Sequence, residues 1–523
     1  MLPANTRQGV NPELVATSLT KRPILLLGDV GVGKTAFLKN LINKAAAPLF
    51  EKALTFHLDL GSQGTLSVDL NEFVLLEIIS QLYELYAVDV FEGRFVTGVY
   101  DLDLQRFDKG IYGSLKTNNP AAYEERRLKF LEEKLAQKDQ HLRASLEHIS
   151  KARRKPIVIL LDNADQRSEL TQEAAFLIAQ ELATHWPATV FLSLRPETFH
   201  RSVKIGTLSG YHPKAFTIQP PRVAQVIEKR LKFALKITGG EIPLPSLPDQ
   251  IKFNLPNLET LIRVMLHSLA GSEKLIEFIE NITGGNVRLA LDLIEEFFGS
   301  GHVNTRKIID LAPAGYTIPL HEFLRAVIYG DWTYYDPQKS PIANIFDVPT
   351  FEGKEHFLIP LALSFLETPS GPNVDEGFVE TSFLYEQLQG LGFIPDQIDA
   401  AFVRAHRAKL LETSARRVPI PGQQMPPAVR VTQPGVYHLR RLSCEFAYID
   451  AVIIDTPIFD TGLRQLMKRD ANIFDRLERA ERFCDYLDRQ WAAFDGLETV
   501  FQWPLTSAAL RNQIIYIREK ARR

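Results

Sequence analysis

Four short apolar runs punctuate the first two hundred residues, and each ends on polar or glycine-rich sequence. They are ILLL (24–27), LTFHLDLG (54–61), IVILL (157–161) and ATVFLSL (188–194). Runs of this length, apolar on both faces or alternating, predict strands of an open sheet covered by helices. After the first run, AFLKNLI is amphipathic at helical spacing and predicts a helix over residues 34–44. Between the second and third runs lies a long insertion. Its Leu128, Leu131, Leu135, Leu142, Leu146 and Ile149 recur at helical intervals among charges. That pattern predicts one long amphipathic helix packed on its own domain, with a coiled-coil or partner helix as the alternative.

Beyond the fourth run the period is helical throughout. Residues 219–313 read as helices broken at Pro243-Leu244-Pro245 and Gly284-Gly285, and residues 314–355 as a connector rich in Tyr, Trp, Pro and Asp. Residues 356–442 predict a winged helix. HFLIPLALSFLE and ETSFLYEQLQGLG give two short helices, IPDQIDAAFVRAHRAKLLETSA gives a third, and AVRVTQPGVYHLRRL a two-stranded wing. From residue 443 onward Phe474, Leu477, Phe483, Tyr486, Leu487 and Trp491 repeat at helical spacing and predict a helical end region or assembly surface.

Composition narrows the class. A chain of 523 residues exceeds one core, and roughly three to four domains is the expectation. Sixty Lys and Arg against 63 Asp and Glu give a formal charge of -3, so no overall basic field points to nucleic acid, though a local basic face is compatible with it. The two cysteines, Cys444 and Cys484, have no metal-binding spacing and fit a reduced compartment. The start, MLPANTRQGV, lacks an apolar signal core, and the longest apolar runs are about half of what a membrane span needs. A cytoplasmic protein without a membrane partner is expected. No nuclease, protease, glycosidase or deaminase constellation is present. His57 and His302 stand isolated and read as ordinary core or surface histidines.

The chemistry gathers at the ends of the apolar runs. Gly28-Asp29-Val30-Gly31-Val32-Gly33-Lys34-Thr35 satisfies G-x-x-x-x-G-K-[ST] between a strand and a helix. The glycines let the backbone curl so that successive N–H groups face inward, and the following helix adds its positive end. Lys34 is placed to reach the β- and γ-phosphates and the Thr35 hydroxyl to ligate Mg²⁺, with residues from Gly28 to Ala36 forming the nucleotide contacts. Asp162 ends the IVILL run, where an open parallel sheet places its ligands, and is the candidate Mg²⁺ residue, acting through water. Arg195 follows the fourth run and is held non-helical by Pro196. It is a candidate for sensing the γ-phosphate, with a surface pair to Glu197 as the plain alternative. Arg288 sits in the first turn of the helix after Gly284-Gly285-Asn286. A cation is disfavoured there by up to ~1 kcal/mol, so an anion nearby is one reading and solvation the other.

In this order the motifs resemble those of an AAA+-related P-loop ATPase: GDVGVGKT as Walker A, ILLDNAD as Walker B, FLSLR and GGNVR at the two sensor positions. Within that superfamily the chain is similar to the origin-recognition initiators, through its Gly-x-x-Arg-x-Ala-Leu run, and to the STAND signalling ATPases, through the arginine near the first sensor. The likeness covers roughly the first three-fifths of the chain. It implies an α/β P-loop NTPase parallel sheet (residues 1–218, with a helical insertion at about 62–155) and a helical lid (219–313). A connector (314–355), a winged-helix domain (356–442) and a C-terminal helical region (443–523) follow. ATP and Mg²⁺ are the implied cofactors. Lys34, Asp162, Arg195 and Arg288 become the catalytic set, with Thr35 and Asp162 on the metal. Two departures stand out. Asn163, which cannot accept a proton, occupies the position after Asp162 where many such ATPases carry a glutamate, and Asp165 is the nearest carboxylate to substitute. The Gly-Arg segment that helps hold adenine in the signalling group is missing upstream, so either adenine is held differently or that part is short or absent.

The expected function is a slow ATP-hydrolysing switch governing self-association or recruitment of a separate effector protein. The resemblance to bacterial signalling ATPases implies stress or anti-phage defence. The alternative is an initiator- or transposition-like ATPase gripping duplex DNA through Arg404, Arg407, Lys409, Arg416, Arg417 and Arg430 of its winged helix. A third option is a scaffold in which nucleotide only adds stability.

Overall fold

A computed structural model describes residues 22–29, 31–61, 69–164, 167–196, 198–199, 214–242, 255–350, 352–367, 377–414, 425–467, 472–494 and 501–522. The chain divides into two compact units, Met1–Pro220 and Pro221–Arg523.

In the first unit, strands β1 (Ile24–Leu27), β2 (Leu54–Asp59), β3 (Ile157–Asp162), β4 (Ala188–Leu194) and β5 (Lys214–Thr217) form one sheet of order β2-β3-β4-β1-β5. Every pairing is parallel. The unbroken apolar character of β1 follows from its surroundings. Leu25 and Leu27 enter one apolar cluster while Ile24 and Leu26 enter another, because successive side chains point to opposite faces and both faces are covered. Strand β5 is an edge strand that its sequence, KAFT, does not announce; all four residues are only part-buried.

The insertion differs from the single predicted helix. Pro120–Ala136 and Lys138–Arg153 are separate helices, interrupted at Gln137 with ψ 73°. The break lets the two halves serve different cores. Leu142, Leu146 and Ile149 pack against the sheet, whereas Leu131 joins a satellite cluster with Val96, Tyr100 and Leu104. Leu128, counted in the apolar stripe, is 57% exposed.

The second unit has a continuous apolar core running from Val223 to Ile514. Helices Val223–Thr238, Leu255–Gly271, Glu273–Thr283, Val287–Gly299 and Thr305–Leu311 come first. Gly284 (φ 54°) and Gly285 (φ 82°) make the turn between the third and fourth, a left-handed conformation that glycine adopts without strain. Pro243, Leu244 and Pro245 lie outside the described residues. The connector is not a surface tether. Its Leu320–Tyr329 helix buries Phe323, Leu324, Val327 and Ile328, and Ile342, Ile345 and Phe346 are buried as well.

The winged helix is built from helices Leu358–Glu367, Thr381–Gly390 and Pro395–Arg407 with three short antiparallel strands. Strands β6 (Val379–Glu380), β7 (Leu411–Thr413) and β8 (Ala428–Val431) are ordered β6-β8-β7. The predicted wing is corrected in its second half. Only Ala428–Val431 is strand, and Gln433–Arg440 is a helix whose Thr432 side chain accepts from Gly435 N, with Pro434 in the first turn. The partners of β8 are instead Leu411–Thr413 on one side and Val379–Glu380 on the other. In the tail, helix Ile473–Trp491 buries Leu477, Phe483, Tyr486, Leu487 and Trp491 and leaves Phe474 exposed. Both cysteines are free thiols. No helix among the described residues is long and apolar enough to cross a membrane.

Candidate functional site

The site grows from strand order. Because β4 lies between β1 and β3, the carboxyl ends of three neighbouring parallel strands carry Gly28, Arg195 and Asp162, with β1 and β3 about 10 Å apart at the usual strand spacing. Register sets Gly28 beside Arg195, since Leu27 lies beside Leu194, whereas Leu161 beside Leu192 sets Asp162 beside Ser193, two residues before Arg195.

Gly28 leaves β1 and is buried. A Cβ on it would meet Val32 Cγ1 at 2.7 Å and Lys34 Cγ at 3.3 Å, so the loop closes tightly only around glycine. Gly33 (φ 95°) turns the chain into helix Lys34–Asn40, which has no side-chain cap and no acidic residue in its first turn; a π-helical turn, Leu41–Ala45, extends it. Lys34 is 6% exposed, and its ammonium donates to Gly28 O at 2.6 Å and Asp29 O at 3.0 Å. Asp29 and Ala36 are exposed, Gly31 part-buried and Val32 buried. Val30 lies outside the described residues.

Asp162 is wholly buried at the end of β3. Burial alone would raise its carboxyl. Hydrogen bonds from the His57 ring and the Asn163 N–H, with the Thr35 hydroxyl close by, outweigh that effect and hold it below the ordinary carboxylate range. His57 Nε2 lies 3.4 Å from Asp162 Oδ2, and Asn163 N donates to Asp162 Oδ1 at 2.9 Å. A buried carboxylate kept charged by donors is what a cation site needs.

Asn163 takes a left-handed conformation (φ 59°), one of the few that asparagine tolerates without a β-branched side chain's strain. Its amide links two elements. Thr35 Oγ1 donates to Asn163 Oδ1 at 3.4 Å, and Asn163 Nδ2 donates to Asp59 Oδ1 at 2.8 Å. Asp59 ends β2 directly beside Asp162 in the register and also accepts from Gly61 N at 2.9 Å. Sequence reasoning took His57 for an ordinary core or surface histidine and did not single out Asp59. The signal for Asp59 was present, since it closes an apolar strand just as Asp162 does.

Arg195 is part-buried, and its Nε is a buried donor with no hydrogen-bond partner among the described residues. Asp165 and Glu197 lie outside the described residues. The structure thus brings together Gly28, Lys34, Thr35, Asp162 and Arg195 in the first unit. Arg288 belongs to the second, where it is exposed in the first turn of Val287–Gly299 behind its cap, Asn286.

These residues fit a magnesium-bound triphosphate. An arginine Nε without a hydrogen-bond partner among the described residues and a buried lysine whose ammonium donates to two loop carbonyls suit anionic oxygens. The Thr35 hydroxyl and Asp162 carboxylate are hard oxygen donors of the kind Mg²⁺ takes alongside phosphates and water.

The basic residues of the winged helix are partly committed elsewhere. Arg404 Nη1 donates to Asp347 O at 3.1 Å and Asp347 Oδ2 at 3.0 Å, and Arg430 pairs with Glu412 while lying over the Phe378 ring. Gln397 Nε2 donates to Glu352 Oε2 at 2.8 Å, and Gln397, Ile398, Ala401, Phe402, Val403 and Ala405 are buried along the Pro395–Arg407 helix. Arg407 and Lys409 are exposed at its end. Arg416 and Arg417 lie outside the described residues.

No protein-family profile and no curated protein matches this chain. Eighteen chains of solved structures do. One is Cdc6p from Pyrobaculum aerophilum, 12% identical over 87% of this chain and 98% of that one, with a TM-score of 0.30. Another is the Orc1 protein of Aeropyrum pernix, solved in complex with DNA, 14% identical over 80% and 86%, with a TM-score of 0.27. At such identities and scores neither neighbour bears on what this chain binds.

Proposed function

We propose that the chain is an ATP-binding, slowly hydrolysing, Mg²⁺-dependent switch of the AAA+ type, allied to the STAND and origin-recognition-initiator groups. The observation that carries this is the pairing of a glycine loop closed by buried Lys34 with a fully buried, charged Asp162 two strands away at the same edge of one parallel sheet. Lys34 and the loop amides would hold the phosphates, and Thr35 and Asp162 the metal, whose charge would offset that of the phosphates. Arg195 is the proposed γ-phosphate sensor at the end of β4, and Arg288 the second sensor. ATP rather than another triphosphate rests on the resemblance of the motifs.

Slow turnover follows from Asn163 at the position where an acid is expected. Nucleotide state then matters more than flux, and it controls self-association or recruitment of an effector on another chain, in a setting of stress or anti-phage defence. The commitment of Arg404, Gln397 and Arg430 to contacts inside the second unit supports a regulatory winged helix over one gripping duplex DNA. The test is binding of labelled ATP with and without Mg²⁺, followed by mass from light scattering with ATP, ADP and no nucleotide. Absence of ATP binding refutes the reading. Identical masses in all three states refute control of self-association, and hydrolysis stimulated by duplex DNA would favour the initiator-like alternative.

A further inference from the structure

The chain has an asparagine where a water-activating carboxylate is expected, yet the structure puts a carboxylate against that asparagine. Resting on the nucleotide reading above, we propose that Asp59, at the end of the neighbouring strand β2, is the general base for ATP hydrolysis, with Asn163 as the residue that positions it.

Three observations carry this. Asp59 and Asp162 are direct register partners in the parallel β2–β3 pair, so both leave the sheet at the edge where the phosphate loop sits. Asn163 Nδ2 holds Asp59 Oδ1 at 2.8 Å while Asn163 Oδ1 accepts from Thr35, so one amide spans the distance from the loop to the β2 carboxylate. Asp59 is part-buried, whereas Asp162 is wholly buried and engaged by the His57 ring and the Asn163 N–H. Asp162 is therefore suited to a cation, and Asp59 is the one of the two that water can reach. The left-handed turn at Asn163 is what aims the amide back across to β2.

The chemistry balances without another reactant. A water oxygen bonds to the γ-phosphorus, and the bond from that phosphorus to the bridging oxygen breaks, its electron pair leaving with ADP. The water proton passes to the Asp59 carboxylate and then to solvent. An amide at position 163 is compatible with this arrangement because it needs only to donate to Asp59, not to take the proton. The competing structural role is a turn cap, since Asp59 Oδ1 also accepts from Gly61 N.

The experiment compares the full chain with Asp59→Asn, Asp165→Asn and the exchange variant Asp59→Asn/Asn163→Asp, measuring ATP affinity, turnover and melting temperature for each. A positioned base contributes about 10²–10⁴-fold, so Asp59→Asn is expected to lose about a hundredfold in turnover or more while its ATP affinity stays within about threefold. The exchange variant, which returns a carboxylate to the pair on the other strand, is expected to recover at least about tenfold of that loss. Turnover by Asp59→Asn within threefold of the parent overturns the proposal and leaves the nucleotide reading intact. So does a parent that binds ATP without hydrolysing it, or a loss confined to Asp165→Asn. Loss of affinity together with a lowered melting temperature in Asp59→Asn, with no recovery on exchange, identifies a turn cap and overturns it too. A parent that binds no ATP removes both readings at once.

Discussion

Replacing Lys34 by alanine tests the phosphate loop most directly, and the structure sets the size of the effect. Without nucleotide the ammonium is 6% exposed and bonded to Gly28 O and Asp29 O. It does not leave water on binding, because burial has already removed it. Binding instead exchanges two neutral acceptors for phosphate oxygens, and the gain is the margin of anionic over neutral acceptors, about 1.5–3 kcal/mol. At 1.4 kcal/mol per decade, Lys34→Ala should weaken ATP binding about ten- to 150-fold. The loss should be larger for ATP than for AMP, which lacks the β- and γ-phosphates. Isothermal titration with both nucleotides in Mg²⁺ reads the two values. The variant also leaves a buried loop carbonyl without its donor, so the nucleotide-free chain should lose about 1–3 kcal/mol of stability. A folded variant whose ATP affinity falls less than threefold refutes the assignment of Lys34 to the phosphates.

Other outcomes follow from the same geometry. Asp162→Asn should abolish the Mg²⁺-dependent part of ATP affinity while leaving binding measured in a chelator within about threefold, read by titration in the two buffers. His438 is 1% exposed, and its ring is pushed by burial from 6.5 down to about 4. Its Nδ1 donates to Pro434 O and its Nε2 accepts from Ala343 N, so a second proton would break the latter bond. Because the unfolded chain takes up the proton first, stability from this group is full above about pH 6.5 and falls as pH drops towards about 4, by about 3 kcal/mol in all. Denaturant unfolding of His438→Gln should therefore vary less with pH across that window than the parent; parallel curves would contradict the burial argument. Leu146→Ala, at a site with no exposure beneath the sheet, should cost about 2–5 kcal/mol in the first unit, measured by the same method.

What could be read from the sequence was what depends on neighbours along the chain. The strand ILLL, the glycine turn and Lys34 lie within a dozen positions, and the polarity switch that marks them is local. Asp162 was found because a buried strand must end somewhere. Asp59 closes an apolar strand as Asp162 does, but what sets it apart is its contact with Asn163, 104 positions away, and His57 read as an ordinary histidine because its partner Asp162 lies 105 positions away. The wing was misread although the cue was there: Thr432, followed by Pro434, is a helix start, and the strand-like AVRV in front of it drew the whole stretch into one element. Arg404 and Arg430 looked like phosphate contacts because charge alone does not reveal that Asp347 and Glu412 fold back to meet them. The insertion's break at Gln137 was hidden because the leucine spacing hardly changes across it.

The clasp formed by Asp347 on Arg404 and Glu352 on Gln397 has a thermodynamic consequence for any polyanion approaching that helix. Only molecules in which the clasp has sprung expose the full row of side chains, so the measured dissociation constant is the intrinsic one divided by the sprung fraction. For such a ligand the unmodified chain would understate the intrinsic affinity. Asp347→Ala removes only the side-chain half of the Arg404 contact, because Arg404 Nη1 also donates to the Asp347 carbonyl, so the clasp is loosened in that variant and not abolished.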